Sequence, residues 1–259
     1  MFEQAKLKLD WAQHMLKELD GGLKHFVSEQ RCEVRAEHNA ETKELRLRID
    51  GDFAPIWPSL ILLAGTCAQT VNSSLDYVAS EIVNAARGTD RRIVFPMDVD
   101  RNQLEASKSL DTLRKIRADL AAHILDEIKP TQMNNFPLWG IRSLANTDKH
   151  RNLVFALHNQ GFELGWVKTP GVEMMDLRFT APAGTHNDGC FTIPDVEEYR
   201  DAKPIIQISF AEPDLRHPNR FYRLEALEFL SNGLNAAAEA IRSIEQFLTP
   251  ETGEEAETV

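Results

Sequence analysis

The residues best equipped for chemistry are Asn146-Thr147-Asp148-Lys149-His150-Arg151-Asn152, which carry an acid, a base, an imidazole and a base in succession. Histidine titrates near neutrality, with an unperturbed pKa of about 6.5, so His150 beside Asp148 and Arg151 has the makeup of a general base or a phosphate ligand. The same residues have two plainer uses. Lys149, His150 and Arg151 close an expected helix, where cations stabilise the C-terminal dipole by roughly 0.3–1 kcal/mol. Alternatively the cluster, with Asn146, is a buried polar network that organises the fold. Helix cap, structural network and catalytic or ligand site are all open at this point.

Asn72 and Asp76 form a second polar pair, four residues apart beside the apolar stripe of an expected long helix. An unpaired buried carboxylate costs several kcal/mol, so Asp76 is expected to reach His150, Lys149 or Arg151. Two sets have metal-ligand chemistry: the helical ladder Asp10, His14 and Glu18, and the loop residues His186, Asp188 and Cys190. The first reads as a solvated helix face, and the second lacks a fourth ligand. No metal and no cofactor is expected. Walker A loop, dinucleotide glycine fingerprint, GxSxG elbow and HExxH are all missing, which removes the commonest sequence-readable enzyme classes. Whether the chain is an enzyme stays open.

Asn72-x-x-Leu75-Asp76-Tyr77, Phe95-Pro96, Pro137-Leu138-Trp139 and Asn146-x-Asp148-Lys149-His150-Arg151, in this order, resemble a family of bacterial hypothetical proteins with no assigned activity. The resemblance spans about a third of the chain and implies that Asp76 and the Asp148–Arg151 element matter. Thr131 departs from it, standing where that family has tyrosine. A shorter stretch, Arg117-Ala118-Asp119-Leu120-Ala121-Ala122-His123, resembles the signature of the HEPN helical ribonucleases. That resemblance implies metal-independent cleavage of RNA, with His123 in acid–base work and Arg117 stabilising phosphate charge.

Several elements must position these residues. Apolar residues at Phe2, Ala5, Leu9, Ala12, Leu16, Leu19, Leu23 and Phe26 recur in threes and fours, the seam of an amphipathic helix that Gly21-Gly22 should bend. Arg31–His38 and Lys43–Ile49 alternate as a hairpin with one wet face. Pro55 and Pro58 open a long helix with Leu60, Ala64, Cys67, Val71, Leu75, Val78 and Ile82 inward. Further expectations are an extended Arg92–Met97, one helix from about Arg101 to Lys129 and a short one from Leu138 to about His150. Strands are expected at Leu153–His158, Phe162–Lys168, Met174–Thr180 and Pro204–Phe210, before a last helix through Leu227, Leu234, Ile241 and Leu248.

Segregated helices and strands imply an α+β class: a helical bundle of N-terminal, central and C-terminal helices with an antiparallel sheet from the early hairpin and late strands. One domain over residues 1–248 and an acidic, disordered tail over 249–259 are expected. Leu16, Leu19, Cys67, Val71, Leu75, Leu120, Ile124, Leu234 and Ile241 should be buried.

The chain has 259 residues, 42% hydrophobic and 27% charged, which argues against a disordered chain and for an ordinary core. Its longest apolar run, Leu60–Ala64, is far short of the roughly 20 residues of a membrane helix. The first residues lack a signal-peptide layout, so the cytoplasm is the expected location. Cys32, Cys67 and Cys190 are odd in number and lack CxxC spacing, which signals neither a disulfide framework nor zinc. The net charge of −11 repels nucleic acid on average, yet Arg87–Arg151 carries twelve basic and nine acidic residues. The function these features imply is a cytosolic binding or interaction module with a structural or anion-binding polar cluster. Its partner would be a small anionic ligand, with RNA the alternative under the HEPN resemblance, and the amphipathic terminal helices suggest a homodimer.

Overall fold

A computed structural model describes residues 1–30, 33–50, 54–87, 92–150, 154–180, 190–211 and 225–249. The protein is α+β, with a bundle of N-terminal, central and C-terminal helices and antiparallel sheet built from early and late strands. Its contacts group into two compact units: residues 1–20, 59–153 and 227–259, and residues 21–58 and 154–226. The expectation of one domain rested on the lack of linker-like composition. The chain passes between the units within a helix, at Pro58, after Leu153 and after Ala226.

In the first unit, α1 (Glu3–Ser28, shared with the second unit beyond Asp20) runs unbroken through Gly21-Gly22. It lies antiparallel to α2 (Pro58–Arg87): Phe2 N–H donates to Glu81, and Cys67 Sγ donates to the Ala12 carbonyl at 3.5 Å. Burial follows the expected stripes, with two local shifts of one residue. Met15 is buried where Leu16 was expected, and Val83 lies deeper than Ile82. Leu19, Cys67, Val71, Leu75, Leu120, Ile124, Leu234 and Ile241 are all buried.

The expected helix over residues 101–129 is broken into pieces. They are α3 (Arg101–Ala106), α4 (Lys108–Arg114), α5 (Ala118–His123) and a π-helical turn at Ile124–Ile128. Side-chain caps mark the starts of α3 and α4, while α5 starts at Arg117 without one. Asp100 accepts from Gln103 N–H, and Ser107, extended at ψ 139, accepts from Leu110 N–H. Lys129 ends the run in the left-handed region at φ 50. The apolar period survives the breaks: Leu110, Leu113, Leu120, Ile124 and Ile128 are buried, and Ile116 is half-buried.

Asn135 Oδ1 then accepts from Leu138 N–H, and α6 (Phe136–His150) begins. In α7 (Ala226–Leu248), Glu245 meets Lys6 of α1 at 2.8 Å. Gly233 of α7 abuts Ile141 of α6 so closely that a Cβ there would overlap the Ile141 side chain.

The second unit holds two three-stranded antiparallel sheets. One joins β1 (Glu33–Asn39), β2 (Glu44–Asp50) and β5 (Cys190–Ile193) in the order β1-β2-β5. The other has β3 (Val154–Thr169) between β4 (Val172–Thr180) and β6 (Glu198–Ala211). Leu45, Leu47, Leu164, Val167 and Val196 form its core. Two strands expected at Leu153–His158 and Phe162–Lys168 are one strand here. The register shift between Asn159 and Gly161 is an irregularity inside β3, where a glycine had suggested a turn. Pro204 falls on β6, an edge strand, where a missing N–H is tolerated.

Candidate functional site

One polar seam joins α2 to α6. At its centre Arg142 Nη2 donates to Asp76 Oδ1 at 3.0 Å, and Arg142 Nε donates to Asn72 Oδ1 at 3.2 Å. Asn72 is 4% exposed, and the Arg142 and Asp76 side chains are 16% and 25% exposed. Asp76 also accepts the Phe95 N–H at 2.8 Å and, more weakly, the Asn72 amide at 3.4 Å. One turn further along α2, Ser80 Oγ accepts from Ile93 N–H at 3.0 Å and donates to the Ile93 carbonyl at 3.2 Å. These bonds lay the extended stretch beginning at Arg92 along the helix, with Phe95, Pro96 and Met97 buried.

At the other end of the seam, Gln69 Nε2 donates to Asp148 Oδ2. The same carboxylate lies against Gly65, where a Cβ would overlap it. Glycine is the residue that lets α6 approach α2 this closely.

Electrostatics follow from burial. The Asp76 carboxyl titrates above its ordinary range because burial disfavours its charge, and that outruns the attraction of Arg142, the Phe95 N–H, Lys149 and Arg92. Burial likewise lowers Arg142, against the pull of Asp76 and Asp98. Both shifts describe an ion pair whose desolvation outweighs its Coulomb gain.

Beside this pair opens a cleft of about 970 Å³ along α2, from Thr66 to Asn84. Hydroxyl and amide side chains form much of its floor, including Gln69, Thr70, Asn72 and Ser73. Gln4 and Lys8 come from α1, Arg92, Ile93 and Val94 from the extended segment, and Lys149 from α6. Lys8 Nζ sits 4.9 Å from the centroid of the Tyr77 ring, a cation–π contact.

The helix carrying Asp76 thus meets the helix carrying the Asp148–Arg151 element; among the described residues the cation bonded to Asp76 is Arg142, two turns upstream of Lys149. Lys149 contributes longer-range attraction and lines the cleft. Asp148 faces Gln69, and Asn146 is exposed. His150 is the last residue of α6; its side chain and Arg151 lie outside the described residues. Sequence reasoning missed Arg142, Gln69, Ser80 and Lys8. A signal was present: Arg142 and Lys149 are seven residues apart on one helix face, and Gln69, Asn72, Asp76 and Ser80 follow the three-and-four spacing of another.

The remaining candidates sit elsewhere. Arg117 is the non-helical N-cap of α5, at φ −143, and its guanidinium grips Asp119 at 2.6 Å. That bond holds the Asp119 carboxyl down at about 2. His123 pairs with Ser243 Oγ at 2.8 Å and stacks on Phe247 at 4.5 Å. His14 pairs with Glu18 at 3.4 Å on an exposed face. His186 and Asp188, and the side chain of Cys190, lie outside the described residues. Among the described residues no three His, Cys, Asp or Glu side chains are grouped to hold a metal ion, and no helix is long and apolar enough to cross a membrane. Compared with known proteins, the chain matches no family model, no curated protein and no solved structure.

Proposed function

We propose that this protein is a binding module whose α2 cleft takes a small anionic ligand, with the Asp76–Arg142 pair as the structural wall of that cleft. The observation that carries the reading is the convergence of Lys8, Arg92 and Lys149, from three separate elements, on one polar cleft. Asp76 is already engaged by Arg142, so it offsets little of that positive charge. A volume of about 970 Å³ lies at the upper end of the range for small-molecule sites. The hydroxyl and amide floor would match a ligand with several oxygens.

Arg117 and His123 lend less support to ribonuclease chemistry, because each is engaged by a different partner: Asp119 for the arginine, Ser243 and Phe247 for the histidine.

Titration calorimetry with citrate and with inorganic pyrophosphate tests the proposal. Saturable binding of at least one anion is expected, and Lys149→Ala should weaken it by about tenfold, close to 1.4 kcal/mol. Arg117→Ala, remote from the cleft, should leave it unchanged. If neither anion binds at low ionic strength, or if Lys149→Ala binds as well as the native protein, the anion reading is wrong.

A further inference from the structure

The cleft is longer than a small anion requires. Thr66 and Asn84 are separated by eighteen residues of one helix, roughly 27 Å at 1.5 Å per residue. A groove of this length suits an extended segment of chain. Among the described lining residues, the formal charges that remain after Arg142 has neutralised Asp76 are Lys8, Arg92 and Lys149 against Glu81, so the segment should be acidic.

We propose that the groove is a docking surface for the chain's own acidic segment Glu251–Glu257, which competes there with external anions. The inference rests on the anion-binding reading of the cleft and adds its regulation. Three observations support it. The segment carries Glu251, Glu254, Glu255 and Glu257 and no basic residue, matching the three cations. The last turn of α7 is delivered to the correct end of the groove. Glu245 lies 2.8 Å from Lys6, between the lining residues Gln4 and Lys8 of α1, and Phe2 N–H bonds the lining residue Glu81. Finally the reach suffices: the eight residues from Thr249 to Glu257 span up to about 26–29 Å when extended.

The affinity required is small. A short tether holds a segment at an effective concentration of around a millimolar, so a contact of only millimolar strength fills the groove about half the time.

The test uses the full chain carrying Glu251→Gln, Glu254→Gln, Glu255→Gln and Glu257→Gln together, with citrate as the probe. Removing a half-time occupant should tighten citrate binding about twofold at low salt. In parallel, zero-length carbodiimide coupling of the dilute native chain, followed by peptide mapping, should join a glutamate of the segment to Lys8 or Lys149. Equal citrate affinities overturn the proposal, even with cross-links, since the segment would then lie beside the groove without occupying it. Tighter binding without cross-links to either lysine overturns it too, because the effect would be long-range charge. If citrate binds neither protein, pyrophosphate replaces it as the probe; if that fails too, the small-anion reading falls by itself and the cross-links alone decide whether the segment docks.

Discussion

Asp76→Ala is expected to lose about 3 kcal/mol of unfolding free energy, the low end of the range for breaking a buried ion pair. The loss has two sources. Among the described residues Arg142, 16% exposed, would keep Asn72 Oδ1 alone as a hydrogen-bond acceptor, and the Phe95 N–H would lose its partner. Asp76→Asn retains an acceptor for Phe95 and should cost less. Asp76→Asn combined with Arg142→Met removes both charges and should return to within about 1 kcal/mol of the native protein, because a buried pair contributes little net stability while each orphan is expensive. Urea melts of the three variants read this directly. An Asp76→Ala protein as stable as the native one would show that the pair does not hold the wall of the cleft.

The same pair sets a pH dependence with a definite sign. In the folded protein burial raises the Asp76 carboxyl above its ordinary value of 3.8. Below that value it is protonated in both states and costs nothing. As pH rises through the folded value, charge is forced into a poorly solvated site and stability falls to a plateau. Against Asp76→Asn, the native protein should therefore gain relative stability between pH 7 and pH 4. The opposite trend would mean that attraction to Arg142 outruns burial.

Gly233→Ala should also destabilise, although alanine is the better helix former. In an open helix the change would gain roughly 1 kcal/mol. Here the added methyl overlaps the Ile141 side chain, and overpacking costs roughly 1–3 kcal/mol. A net loss is expected, seen as a lower urea midpoint with an unchanged slope. Ile141→Ala alone opens a cavity worth roughly 2–5 kcal/mol. The double variant should lose less than the two single losses together, because the new methyl fills part of that cavity. Strict additivity would show that α6 and α7 do not meet at this point.

Where apolar spacing alone decides an element, the sequence was readable. The stripes of α1, α2 and α7 are buried as their periods imply, and the hairpin of β1 and β2 falls within a few residues of its expected limits. What failed was punctuation. Ser107 acts as a cap and splits a stretch whose apolar phase runs on, while Gly161 sits inside a strand. Pro58 reads as a helix start and Gly21-Gly22 as a bend, yet both also mark where the chain passes from one compact unit to the other. The site was half legible. Asp76 drew attention as a carboxylate beside an apolar stripe. Arg142 did not, because one arginine on an amphipathic helix looks like any solvated cation until the facing helix is known.

The order of the segments bears on biosynthesis. The first unit draws on three stretches of chain, and the last of them, with α7, is made after both sheets. At synthesis rates of roughly 5–20 residues per second, the 220 residues between the ends of α1 and α7 take about 10–45 s to emerge. Throughout that interval the first unit lacks α7, the helix that pairs with Lys6 of α1 and packs on Ile141 of α6. The first unit therefore cannot close until α7 has been made, and slower synthesis anywhere before Ala226 postpones that closure.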